Sequence, residues 1–78
     1  MRLIVLGSNS LGNCYILENK KEALIIEAGV PFKEVKKAMN YDIGKIVGGV
    51  VSHEHNDHAG HYMEFLGFGF PVLSPEAV

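Results

Sequence analysis

Apolar and polar positions fall in short blocks along the chain, and the blocks predict an order of strands and helices. Leu3-Ile4-Val5-Leu6 is an apolar run bounded by turn residues, the pattern of a buried strand. Gly7 to Asn13 holds two Gly, two Ser and two Asn, which is loop chemistry. Cys14-Tyr15-Ile16-Leu17 reads as a second strand, Glu18 to Glu22 as a polar turn, and Ala23-Leu24-Ile25-Ile26 as a third strand. Strands two and three are therefore expected to form a hairpin. Gly29 breaks the chain, and Pro31 suits the first turn of a helix. Phe32, Val35 and Met39 then recur at helical spacing as a core stripe. Lys33, Lys36 and Lys37 mark the solvated side of that helix, and Asn40 is a stop signal. Ile46 to Val51 reads as a fourth strand, and its Gly48-Gly49 pair suggests close backbone approach or a bulge. Ala59, Met63 and Leu66 return to helical spacing, and Phe70-Pro71-Val72-Leu73 reads as a fifth strand. Strands first, then strand and helix in alternation, is an α/β (α+β) pattern. Ser74-Pro75-Glu76 is a helix-start signal with the chain ending two residues later. The expectation is that residues 1–78 are the N-terminal portion of a larger domain.

Bulk properties narrow the picture. With 78 residues the chain forms at most one domain. Below roughly 80 residues a lone core is marginal without a staple. One cysteine excludes an internal disulfide, and Cys14 inside an apolar strand reads as buried and inert. A hydrophobic share of 47% excludes a disordered segment. A net charge of −2 without a basic run leaves no electrostatic footprint for tight nucleic-acid binding. The N-terminal apolar run is too short for a signal-peptide core, and no run approaches the ~20 residues that span a bilayer. A cytoplasmic location away from membranes is the expectation.

The chemistry is concentrated. All four histidines lie between His53 and His61, directly after an apolar strand. Taken singly, Asp57 reads as a helix N-cap, and each histidine as a structural or surface residue. Taken together, His53-Glu54-His55-Asn56-Asp57-His58 reads as a metal site. Neutral imidazole and carboxylate are the ligands zinc takes when thiolates are absent, and Fe or Mn accept the same set. His53 and His55, two apart, can both point to one side in an extended loop, while Asp57 and His58 can turn toward a second point. Four candidate ligands within six residues suit two ions sharing a pocket, each needing more ligands from elsewhere. The run lacks His-Glu-x-x-His, because Asp57 stands four after His53. It also lacks the Pro-Cys-x-x-Cys of zinc deaminases.

The run matches HxHxDH, and with Ser52 before it and Gly60 after it resembles the (T/S)HxHxDHxG signature of the metallo-β-lactamase superfamily. Leu24 to Gly29 resembles that family's strand ending in Asp-Ala/Cys-Gly. Leu6 to Cys14 resembles the Gly/Ser-rich start of its nuclease-like members. The resemblance implies a four-layer αββα sandwich, of which this chain supplies the first, mixed sheet and its helices. It implies that His53 and His55 ligate one metal ion and that Asp57 and His58 ligate a second. Asp57 would also handle the proton. The ions are expected to be Zn, with Fe or Mn possible. The implied activity is a metal-dependent hydrolase with a metal-bound hydroxide as nucleophile, acting on a phosphodiester or a small-molecule ester, thioester or lactam. Glu27 stands where the family usually has Asp, in an outer-shell position that supports the metal loop. His61 stands where a second Gly is common and reads as a surface residue rather than an extra ligand. The family's remaining His, Asp and His ligands lie further downstream, so this chain alone is expected to coordinate metal incompletely and to be inactive. Its sheet would leave an apolar face open, and a homodimer is one way to cover it. The alternatives are a small metal-binding or interaction module, or a domain that binds no metal.

Overall fold

The antiparallel start of the fold follows from its turns. The computed structural model describes residues 1–9, 12–52 and 62–73. Strand β1 (Arg2–Asn9) pairs antiparallel with β2 (Gly12–Glu18), and β2 pairs antiparallel with β3 (Ala23–Ile26). Asn19 closes the second hairpin. Its Oδ1 accepts the Lys21 and Glu22 N–H groups, both at 2.8 Å, and its own N–H donates to the Glu22 carbonyl at 3.0 Å. This is the side-chain turn chemistry that favours Asn at such positions.

Helix α1 (Phe32–Ala38) and a 3-10 turn (Ile43–Lys45) cross over to β4 (Ile46–Val50), which lies parallel to β3. Helix α2 (Tyr62–Leu66) precedes β5 (Val72–Leu73), parallel to β4. The sheet is mixed, in the order β1-β2-β3-β4-β5. Three parallel strands point their C-terminal ends the same way. Antiparallel β2 begins at that end, so residues 12 and 13, 27 to 29, and 51 and 52 gather there.

One face of the sheet is sealed. Cys14, Ile16, Ala23 and Ile25 meet Phe32, Val35 and Met39 of α1 and its C-cap, and Phe65 of α2. The helical stripe expected from Phe32, Val35 and Met39 is buried throughout. Asn40 ends α1 as expected, at φ 51°. The Asn40 N–H donates to the Lys37 carbonyl and the Tyr41 N–H to the Lys36 carbonyl, the two bonds of a Schellman motif.

Four expectations need correction. Gly7 to Asn13 is not one loop: β1 runs through Asn9 and β2 starts at Gly12. Glycine permits the pairing there, because a Cβ on Gly7 would stand 2.5 Å from the Gly12 carbonyl oxygen. The strands are thus longer than their apolar cores. Next, β1 is an edge strand with Leu3 and Val5 exposed, not a buried one. Among the α2 residues whose burial is described, Phe65 is buried and Met63, expected in the core stripe, is exposed; the side chain of Leu66 lies outside what is described. Ring packing overrides spacing here: Phe65 meets Phe32 edge-on at 4.9 Å. Finally, Lys36 is half-buried, with its ammonium 5.2 Å from the Phe68 ring centroid.

The Gly48-Gly49 expectation holds on both counts. A register shift sets Ala23 opposite Ile46 but Leu24 opposite Gly48, so Val47 bulges outward. A Cβ on Gly48 would lie 3.3 Å from the Pro71 carbonyl oxygen. At the other end of the sheet, buried Glu18 is held by Arg2 and by Lys45, whose Nζ lies 2.8 Å from Glu18 Oε2. Bonds from Lys45 first and Arg2 second hold its carboxyl below the usual carboxylate range. Among the described residues no helix is long and apolar enough to cross a membrane. The helix-start signal at Ser74 and the expected helical position of Ala59 lie outside the described residues.

Candidate metal centre

Where β3 ends, the chain must turn off the sheet, and Glu27 makes that turn in the left-handed region at φ 69°. A non-glycine residue holds that setting at a cost of roughly 1–2 kcal/mol. Two bonds offset it. The Glu27 N–H donates to the Val50 carbonyl at 2.7 Å, extending the β3–β4 ladder by one rung. Its Oε1 accepts the Ser52 N–H at 3.1 Å. The carboxylate is buried, so a charged acceptor on a backbone donor is stronger there than in water. Glu27 therefore bonds to the end of β4 and to Ser52 just beyond it, one on each side of Val51, and it fixes the backbone of the residue that immediately precedes His53.

One other segment converges on this turn. The Gly29 N–H donates to the Asn13 carbonyl at 2.9 Å, and a Cβ on Gly12 would stand 2.5 Å from the Gly29 carbonyl oxygen. The Gly12-Asn13 end of the glycine-rich start thus packs against the Glu27-Ala28-Gly29 turn. These stretches are fourteen or more residues apart in sequence, and nothing in their spacing announces that they meet. Asn13 is buried, and the Tyr15 hydroxyl reaches its Oδ1 at 3.5 Å. Cys14 beside them is fully buried. Burial first, and the nearby Glu27 charge second, push its thiol up to about 12 from 9.0. It stays protonated at neutral pH, which makes it a poor ligand and a poor nucleophile, as its sequence setting suggested.

Sequence reasoning missed a second carboxylate. Glu64 Oε1 accepts the Phe32 N–H at 3.2 Å, at the start of α1, where first-turn donors have no intrahelical partner. Pro31 at the N-cap provides no side-chain bond. Glu64 and Phe32 are 32 residues apart, so no local capping pattern reveals the pair. Beside it all four phenylalanines of the chain meet. Phe32 stacks on Phe68 at 4.2 Å and lies 5.9 Å from Phe70, and Phe65 meets Phe70 edge-on at 6.4 Å.

The expected ligands His53, His55, Asp57 and His58, and His61 with them, lie outside the described residues. Of the expected site residues, Glu27 alone is described. Among the described residues no group of three or more His, Cys, Asp or Glu side chains is placed to hold a metal ion. What is described is the frame on either side of the run: β4 and Ser52 before it, α2 after it.

Comparison with known families agrees with this frame. A sequence model of the metallo-beta-lactamase superfamily matches residues 8–72, well over half of the chain. The chain belongs to the metallo-beta-lactamase superfamily, and its mixed sheet with flanking helices is the α/β architecture expected of that fold. Membership points to metal-dependent hydrolase chemistry and to divalent metal binding in general. No curated protein matches the chain.

Proposed function

We propose that this chain carries the first half of a two-metal hydrolase centre, built from His53, His55, Asp57 and His58. The reading rests on one observation above the rest. A superfamily match covers an HxHxDH run, and the buried Glu27 carboxylate holds the backbone N–H just before it. The donor set fits zinc, with iron or manganese as variants, because it offers imidazoles and a carboxylate without an ionisable thiol. His53 and His55 would hold one ion, and Asp57 and His58 the other. A bound divalent ion would supply Lewis acidity and a water acidified toward neutral pH.

The chain's own residues divide the remaining work. Glu27 sets the direction in which the chain leaves β4, and so the approach of His53. Asp57 accepts and returns a proton at its carboxylate oxygens as the substrate's ester-like bond breaks. A coordination shell of about four ligands per zinc needs donors beyond these four residues, so turnover requires a further segment or chain. The favoured substrate class is a phosphodiester, from the resemblance of the Gly/Ser-rich start to nuclease-like members. A metal-binding module without turnover is the second reading, favoured by the confinement of all four histidines to residues 53–61.

Elemental mass spectrometry on protein purified without added metal or chelator is the direct test. About one to two equivalents of Zn, Fe or Mn per chain are expected. No metal on purification and none on titration would reject the site. In the assembled enzyme, Asp57→Asn is expected to lower phosphodiester turnover by about 10²–10⁴-fold, and unchanged turnover would reject the proton role.

A further inference from the structure

The His53–His58 run is flanked in sequence by Ser52 on one side and helix α2 on the other, and both flanks are tied to one short stretch of chain. That stretch is the connection from Glu27 to Phe32, between β3 and α1. On the near side, Glu27 Oε1 accepts the Ser52 N–H at 3.1 Å. On the far side, Glu64 Oε1 accepts the Phe32 N–H at 3.2 Å. The two bonds are reciprocal in layout. Glu27, at the start of the connection, reaches forward to the residue before the run. Glu64, after the run, reaches back to the end of the connection. Phe65, next to Glu64, is fully buried against the Phe32 ring, so α2 is held by a charged bond and an aromatic contact at the same point.

We propose that Glu64 is a positioning residue for the metal centre, acting with Glu27 as a two-ended clamp that sets the separation of the run's flanks before any ion binds. This rests on the metal-hydrolase reading above. The physical reason lies in what metal ligation requires. Ligands must be held close to productive geometry by groups behind them, and removing such supports typically weakens metal binding 10- to 100-fold. Bonds from Glu27 and Glu64 to one shared connection are supports of that kind, one on each flank of the run. Pro31 gives no cap of its own, and a carboxylate accepts the orphan Phe32 N–H more strongly than a neutral group does.

Zinc alone, titrated into the 78-residue chain against a chelator of known affinity, is the probe, with the cobalt absorption spectrum as a readout of ligand geometry. Glu64→Ala is expected to weaken zinc binding about 10-fold and to alter the cobalt spectrum. Glu64→Gln, whose amide oxygen accepts the same N–H, is expected to recover most of that loss, which a general loss of packing would not allow. In metal-free protein, hydrogen exchange at the Phe32 and Phe65 amides is expected to quicken in Glu64→Ala. Equal zinc affinity in Glu64→Ala and wild type overturns the clamp, and so does a Glu64→Gln variant no better than Glu64→Ala. If wild type takes up no zinc, the metal reading fails on its own account. The positioning role of Glu64 falls with it, and exchange at the Phe32 and Phe65 amides then reports only whether the Glu64 bond holds α2 to α1.

Discussion

Glu27 combines a strained backbone with a buried charge, and the bond to Ser52 is what makes the combination tolerable. Its φ of 69° favours glycine, yet glycine there would leave the Ser52 N–H without its acceptor. Glu27→Ala is expected to lower stability by about 1 kcal/mol in urea denaturation and to weaken zinc binding about 10-fold. Glu27→Asp, one methylene shorter, tests whether reach or charge matters. If it binds zinc as tightly as wild type, the longer side chain is not needed for that bond. Cys14 gives a second residue-scale prediction. Its thiol titrates near 9.0 when exposed and near 12 when folded. The folded state therefore holds its proton where the unfolded state has lost it. Stability from this group is complete below pH 9 and falls as pH rises toward 12, by about 1.4 kcal/mol per pH unit. Cys14→Ala should flatten that alkaline decline in melts between pH 8 and about 10.5. An equally steep decline in the variant would show that other groups cause it. The burial of Cys14 was legible in the sequence, because it opens an apolar run. The Glu27 bond to Ser52 was not legible as geometry, since it joins residues just past the ends of two strands that become neighbours only through the α1 crossover.

At the scale of elements, α1 shows where local pattern suffices and where it does not. The stripe of Phe32, Val35 and Met39 and the Asn40 stop are local signals, and the helix follows them because side-chain spacing and the left-handed tolerance of Asn act within a few residues. The start of the helix is not local, because its first donor is capped from α2. Met63 departs from its expected stripe for the same reason. Spacing alone favours Met63, but the Phe32 ring selects Phe65, so Met63 faces solvent. Phe32 is the hub of this cluster. Phe32→Ala is expected to cost about 3–5 kcal/mol in chemical denaturation, with α2 loosening first, because the side chain is fully buried against three other rings. A loss below about 1 kcal/mol would mean that the cluster collapses around the gap and that α2 is held by other contacts.

For the whole molecule, the open face of the sheet is the dominant feature. Directly paired residues build one row across it, Val5, Tyr15, Ile26, Val50 and Leu73, and a second from Leu3, Leu17 and Leu24. Val5, Val50, Leu3 and Leu73 are exposed there, and Val47 at its bulge joins them. Contiguous apolar surface of this kind drives association. The isolated chain is expected to self-associate in sedimentation at micromolar concentration, and Val50→Lys, at an exposed position of the longer row, to shift it toward monomer. A chain that sediments as a monomer at all concentrations would mean that this face stays solvated. By itself the sequence determined the order of the elements, the helical core stripe, the inert thiol and the family, because periodicity, turn residues and a six-residue signature are each written within a short stretch. Only the tertiary structure decided that β1 is an edge, that glycines carry strand pairing into the expected loop, and that Glu64 caps a helix 32 residues away. Each of those depends on which surfaces meet when the crossovers close, and contacts between distant segments leave no period in the chain to read.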